Sequence, residues 1–288
     1  MRRVALVKLA LLIVVGRKAG AFLGCSLSHK LVVKHRARSL LEPLLLAKDE
    51  DHSETVLVFP GGGIYFYWQA GVVTYLREQG YSIDRLAGAS AGALTATLAA
   101  TGVDYQRATE IAIQLAVEAG VWDRAGGLQG VWGELIETWL RDLLPTDACH
   151  MVQQKAEFSL LVTKIPSFRK ERFNTFADRE DLIQCNMASI HLPWFLNSQL
   201  WTSFRGQVCI DGSFLASTSD YVTTAKDGAS SSLLVIDHKD DPIHRGIDLL
   251  SFVAAVRPDT LYEMMEDGRR HARLMEEKGA FRRLLRSH

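Results

Sequence analysis

Two small-residue turns, each entered from an apolar run and left through a helix-spaced stretch, stand less than thirty residues apart in this chain. The first is Pro60-Gly61-Gly62-Gly63, between TVLVF (55–59) and IYFYWQAGVVTYLREQ (64–79). The second is Gly88-Ala89-Ser90-Ala91-Gly92, between DRLAGA (84–89) and an alanine-rich run that stops at Gly102. A short β-branched run bounded by turn residues reads as a buried strand, and apolar residues at 3.6-residue spacing read as a helix. Strand, glycine loop, helix, strand, serine turn, helix is the alternation of an α/β fold with a mainly parallel sheet.

The rest of the chain continues the pattern. Residues 104–119 and 131–144 have amphipathic helical spacing, and 178–189 is a helix with an acidic start. Strands are predicted at 156–165, at ERFNTF (171–176), at 206–211 running into Asp211-Gly212, and at 231–237. Pro258 opens a closing helix that runs to Gly279. The polar stretch 47–54 marks a junction, giving a targeting leader and linker at 1–52 and one catalytic domain with a C-terminal helix at 53–288.

The charges balance at 33 basic and 33 acidic residues, but not locally. Residues 1–41 hold nine basic residues and no acidic one, which leaves 24 basic and 33 acidic residues, a net of −9, for 42–288. An acidic body argues against nucleic acid as a partner. The basic leader argues for targeting. It has a basic start, an apolar run (9–16) too short to span a bilayer, and Ala19-Gly20-Ala21 followed by Phe22. It resembles the two-part plastid presequences of algae with secondary plastids, a signal peptide followed by a transit segment that begins at Phe. Arg17 and Lys18 are atypical of that pattern. A mitochondrial or endomembrane destination is the alternative. Cys25, Cys149, Cys185 and Cys209 lie far apart without metal-ligand spacing, so no metal is expected.

Ser90 sits at the centre of G-x-S-x-G. On a strand-to-helix turn such a serine needs small neighbours, here Gly88, Ala89, Ala91 and Gly92. The helix that follows directs its partial positive end at the site. Gly61, Gly62 and Gly63 present bare amides of the kind that stabilise an oxyanion. A phosphate loop would need Lys-Ser/Thr where this chain has Ile64, Tyr65 and Phe66, and a dinucleotide loop would need glycine at Phe66. Asp211-Gly212 at the end of a strand stands where active-site residues of parallel sheets gather. A carboxylate in a dry cleft can serve as a base.

The glycine loop, the serine turn one strand later and the late Asp-Gly together resemble the patatin-like phospholipases. The resemblance runs from about Thr55 to Ala216 and includes MASIHLPWFL (187–196) and FRGQVCIDGSF (204–214). It implies a patatin-like three-layer sandwich, with a mainly parallel central sheet flanked by helices. It implies Ser90 as nucleophile, Asp211 as its only partner, and oxyanion amides from Gly62 and Gly63, with Gly61 and Ala91 beside them. Gly88, Gly92 and Gly212 would support the turns. No cofactor is implied. Two positions depart from the family pattern: Tyr65 stands where members often carry Arg, and Ser213 follows Asp-Gly where Gly or Ala is usual.

The expected activity is hydrolysis of fatty-acyl esters of membrane or storage lipids, at a membrane or lipid-droplet surface. The alternatives are acyl transfer or non-lipid ester cleavage on the same pair, and a catalytically weak lipid-binding protein. His191, His238, His244 and His271 could complete a triad. His238 follows a strand, as the Ser–Asp–His order of α/β-hydrolases requires, but the short Gly63–Ser90 spacing argues against that fold. Tyr65, Phe66, Tyr67 and Trp68 cannot all face the core from one helix, which sends some to an acyl channel or a membrane interface, unless all are taken up in ordinary core and sheet packing. Trp122, Trp132, Trp139, Trp194 and Trp201 are candidates for a cover over the site. Arg270, Arg273, Arg282, Arg283 and Arg286 are either a solvated helix end or a contact for anionic head groups.

Overall fold

The computed structural model describes residues 55–221, 232–243, 246 and 256–284. The leader, His244 and Arg286 lie outside the described residues. The fold is mixed α/β. Its strands are β1 (Thr55–Phe59), β2 (Arg85–Ala89), β3 (Glu157–Lys164), β4 (Lys170–Phe173), β5 (Thr202–Phe204), β6 (Gln207–Ile210) and β7 (Ser232–Val235). They form one sheet in the order β5-β6-β3-β2-β1-β7, with β4 paired to β3. The central strands β3, β2, β1 and β7 are parallel.

Every residue of β1 is buried, because both faces of the strand are covered. Leu57, Phe59, Leu86, Leu160 and Val162 enter the main core, while the alternate residues Val56, Val58, Ala87, Ala89 and Leu161 form a smaller cluster with Tyr221. The helices that share the main core are α1 (Phe66–Glu78), α2 (Ala91–Ala100), α3 (Tyr105–Glu118), α4 (Trp132–Leu143), α5 (Ala148–Gln153), α6 (Arg179–Ser189) and α7 (Pro258–Glu277).

Helices α1 and α7 cross at a pair of glycines. A Cβ on Gly71 would lie 1.9 Å from the Met265 carbonyl oxygen, and one on Gly268 would lie 1.9 Å from that of Trp68. Each helix therefore accommodates the other's backbone. Around the crossing, Arg269 pairs with Glu78, Tyr81 donates to Glu276 at 2.7 Å, and Trp68 donates to Asp241 at 2.9 Å.

The predicted strands and helices are found within a few residues of their expected places, with two exceptions of kind. The first is β6, which runs antiparallel to β3 and to β5, so Asp211 does not leave a parallel strand. β3 continues past the last β2 pairing, Ala89↔Leu161, and β6 pairs with that extension at Thr163 and Lys164. It returns Asp211 toward the carboxyl end of β2. The second is the aromatic quartet, which is wholly buried. Phe66 and Tyr67 face a cavity, while Tyr65 stacks on His238 and Trp68 reaches Asp241. The first two turns of α1, Phe66–Val73, are buried throughout and have no exposed face to give them.

Candidate active site

Ser90 occupies the hinge between β2 and α2 with φ 55° and ψ −128°. A non-glycine residue in that region is strained, and such strain is retained where the surroundings over-determine it. Here the surroundings are backbone. A Cβ on Gly92 would sit 1.9 Å from the Phe59 carbonyl oxygen, and one on Gly88 would sit 2.2 Å from that of Gly92. β1, the turn and α2 are thus in direct main-chain contact. The Ser90 N–H donates to Ser189 Oγ at 2.9 Å, and that hydroxyl donates in turn to the Leu161 carbonyl at 2.7 Å.

The Ser90 hydroxyl donates to Asp211 Oδ2 at 2.6 Å. The other carboxylate oxygen, Oδ1, accepts from the Ser213 N–H at 2.8 Å and the Ser213 hydroxyl at 2.6 Å. Burial pushes the Asp211 pKa above the ordinary carboxylate range, against the opposing pull of those hydrogen bonds and of Lys170. The Lys170 ammonium donates to Thr163 Oγ1 at 2.7 Å, and Thr163 Oγ1 donates to the Asp211 carbonyl at 2.8 Å. The arm itself is pinned by backbone: Asp211 N–H to the His191 carbonyl at 2.9 Å, and Gly212 N–H to that of Ser189 at 2.8 Å. A Cβ on Gly212 would lie 1.8 Å from the Leu161 carbonyl oxygen.

The glycine loop lies against this pair. A Cβ on Gly61 would be 2.4 Å from Ser213 Oγ and 3.1 Å from Ser90 Cβ. Gly63 adopts φ 57°, which turns the loop into α1. Gln69, fully buried, donates to the Pro60 carbonyl at 2.8 Å and accepts from Thr95 Oγ1 at 2.8 Å, tying the loop to α2. Below Gly62, Tyr65 and His238 stack with ring centroids 3.7 Å apart.

Gly63, Ser90 and Ala91 open onto a cavity of about 90 Å³ whose lining, among the described residues, contains no charged side chain. Its walls come from α1, α2, α3, α4 and α7 and include Leu94, Ile113, Leu135 and Leu261. Of the five tryptophans expected to cover the site, Trp122, Trp132 and Trp139 line the cavity. Trp194 and Trp201 face solvent.

The structure therefore brings Ser90, Asp211 and the Gly61–Gly63 loop together, with Gly88, Gly92 and Gly212 as points of backbone contact. The candidate histidines among the described residues occupy other ground. His191 is buried, with its pKa pushed down by burial, and its carbonyl serves the Asp211 arm. His238 is stacked on Tyr65, and His271 faces Asp241. The sequence reading missed Ser189, Thr163, Lys170 and Gln69, and it noted Ser213 only as a departure from the family pattern, whereas Ser213 bonds Asp211 twice. Among the described residues no cluster of three His, Cys, Asp or Glu could hold a metal ion.

The patatin-like phospholipase family model matches residues 57–219, more than half of the chain. The chain belongs to the patatin-like phospholipase family. Two curated relatives are omega-hydroxyceramide transacylases of mouse and human, each 27% identical over 173 residues and 58% of this chain. That match covers 28% of the mouse protein and 31% of the human one, so this chain spans about a third of the length of either. A solved structure, VipD from Legionella pneumophila, is similar at 14% identity over 70% of this chain and 54% of its own, with a TM-score of 0.37.

Proposed function

We propose that this patatin-like protein is a serine lipid acyl hydrolase working through a Ser90–Asp211 dyad. The observation that carries the reading is the 2.6 Å hydrogen bond from Ser90 to a buried carboxylate, at one end of an apolar cavity. A serine becomes a nucleophile when a base takes its proton, and Asp211, with its pKa raised by burial, is a stronger base than an exposed carboxylate. Ser90 Oγ attacks the ester carbonyl while its proton passes to Asp211. Amides of the Gly61–Gly63 loop and of Ala91 receive the developing oxyanion, each donor being worth roughly 10²–10³-fold in rate. Collapse of the tetrahedral species returns the proton to the departing alcohol and leaves a fatty acyl ester on Ser90. Water then repeats the sequence and frees the fatty acid. The aliphatic chain lies against Leu94, Ile113 and Leu135, which only an apolar group would wet favourably.

A second reading has its own support. Two relatives are named as transacylases, and an alcohol can take the place of water in the second step. Fatty-acid release from phospholipid, galactolipid and triacylglycerol, measured with and without an added long-chain alcohol, separates the two. Free acid that Ser90→Ala and Asp211→Ala both abolish supports the hydrolase. Ester formed in place of acid supports acyl transfer. Release undiminished in Ser90→Ala overturns both. The leader leads us to place the reaction in an organelle, with the plastid first; a fluorescent fusion of residues 1–52 tests this.

A further inference from the structure

Large apolar side chains exposed to solvent are unevenly distributed over this molecule. Of the eight among the described residues, six fall between 168 and 215: Phe168, Trp194, Leu200, Trp201, Val208 and Leu215. Leu215 is 64% exposed and Phe168 52%. Their backbones are unusual as well. Phe168, Trp194 and Leu215 have φ of 54°, 60° and 55°, a left-handed conformation that costs a bulky residue free energy. Single exposed apolar residues need no explanation, but a grouped set held at strained positions does.

The segments that bear them meet around the Asp211 arm. The Phe168 and Phe214 rings are 5.9 Å apart, and Ile165 N–H donates to the Val208 carbonyl at 3.0 Å. Trp201 leads into β5, which pairs with β6, and Trp194 N–H closes its own loop on the Gln199 carbonyl at 2.7 Å. Charge separates this face from the rest of the domain. Between 191 and 217 the acidic residue is Asp211, which is buried, and the charged side chain at the surface is Arg205. The adjoining turn, 164–172, exposes Arg169, while its Lys164 pairs with Glu171 and its Lys170 turns inward to Thr163. An apolar surface with a basic flank, on a domain of net −9 over 42–288, complements a bilayer that bears anionic phosphate head groups.

We propose that the face formed by Phe168, Trp194, Trp201, Val208 and Leu215 docks on an anionic phospholipid bilayer and holds the Asp211 side of the site against it. The proposal rests on the reading of the site as one that takes lipid esters, and it names the surface through which they arrive. Tryptophan and phenylalanine enter the head-group boundary, and Arg169 meets phosphate.

The test uses the full chain carrying Ser90→Ala, so that the vesicles are not consumed, with an environment-sensitive fluorophore at Leu215→Cys or, for comparison, at Val117→Cys on α3. Phosphatidylcholine vesicles containing phosphatidylglycerol should shift the emission of the probe at 215 to the blue and leave the probe at 117 unchanged. Phe168→Ser with Trp201→Ser should weaken vesicle partitioning by at least about tenfold, since each ring contributes a large apolar area. Binding with a water-like signal at 215 would mean that another segment docks, and would overturn the proposal. So would a blue shift that grows with protein concentration in the absence of vesicles, the mark of a second copy on this face. Turnover of a water-soluble short-chain ester by the chain with Ser90 intact separates the two readings. Loss of vesicle binding in the double variant with that turnover intact supports docking. Failure to cleave the ester while the probe at 215 still enters vesicles would sink the hydrolase reading and leave the docking surface standing.

Discussion

The turn that carries Ser90 and the arm that carries Asp211 meet at one hydrogen bond, but different forces hold them there. The turn is fixed by steric contact. Consecutive parallel strands deliver it, and the Gly88 and Gly92 backbones touch main chain with no room for a side chain. The arm arrives from 121 residues away on an antiparallel strand and is fixed by hydrogen bonds through Ser189, His191 and Thr163, with a single steric contact, that of Gly212 with the Leu161 carbonyl. Steric contact fails abruptly when one methyl is added, whereas a hydrogen-bonded arm loosens by degrees. Variants on the two sides should therefore fail in different ways.

The largest effect is expected where the two sides touch. Ser90→Ala should lower kcat by at least about 10⁴-fold with the fold intact, and Asp211→Asn should do nearly as much. Steady-state kinetics on an ester substrate check both. Asp211→Asn should also separate activity from stability. The folded chain holds the Asp211 proton more tightly than the unfolded chain does, so this group costs stability as pH rises from the ordinary carboxylate range through its raised value. Asp211→Asn should accordingly raise Tm at neutral pH, by about 2–4 °C for each kcal/mol recovered, with the gain vanishing in acid. Thermal melts across pH would show a constant difference if the idea is wrong.

On the steric side, Gly92→Ala places a Cβ 1.9 Å from the Phe59 carbonyl oxygen and should cost about 1–3 kcal/mol or more, seen as a lowered denaturation midpoint together with lost activity. On the hydrogen-bonded side, Thr163→Val removes the hydroxyl that donates to the Asp211 carbonyl and accepts from Lys170, at a cost of about 1–3 kcal/mol. It should lower kcat by roughly tenfold, leave KM nearly unchanged and retain a cooperative melt. Equal destabilisation by Gly92→Ala and Thr163→Val, with equal loss of activity, would erase the contrast. The smallest effect is expected at Ser213. Its hydroxyl holds the Asp211 pKa down, so Ser213→Ala should move the acidic limb of the pH–rate profile to higher pH with a modest change in maximal rate.

The same contrast explains what could be read from sequence. β1, β2, the two turns and Ser90 are local patterns, strand followed by glycine followed by helix, and each appears within a few residues of its expected place. Asp211 was visible through its Asp-Gly turn and its order after the other motifs. The direction of β6 was not, because strand pairing is a long-range property that a four-residue strand does not announce. β5 and α5, at three and six residues, are too short for periodicity to register. Ser189 and Thr163 resemble any serine in a helix or threonine in a strand, and only the assembled chain shows their oxygens meeting Ser90 and Asp211. The aromatic quartet was legible in part: Phe66 and Tyr67 line the cavity, and Tyr65 and Trp68 pack inside. Helical spacing gives one core-facing stripe, but the first two turns of α1 are covered on both sides, by the cavity walls and by α7.

The reciprocal contact of Gly71 with Met265 and of Gly268 with Trp68 bears on where this protein can be divided. The family match ends at residue 219, before α7 begins at Pro258. A chain trimmed to that match would bare a groove of peptide backbone along α1, together with the apolar residues that α7 shelters. Cooperative folding would then be lost far from any catalytic group. The homology boundary and the folding boundary differ here, and expression strategies, fusion points and split-protein designs for this molecule should follow the second.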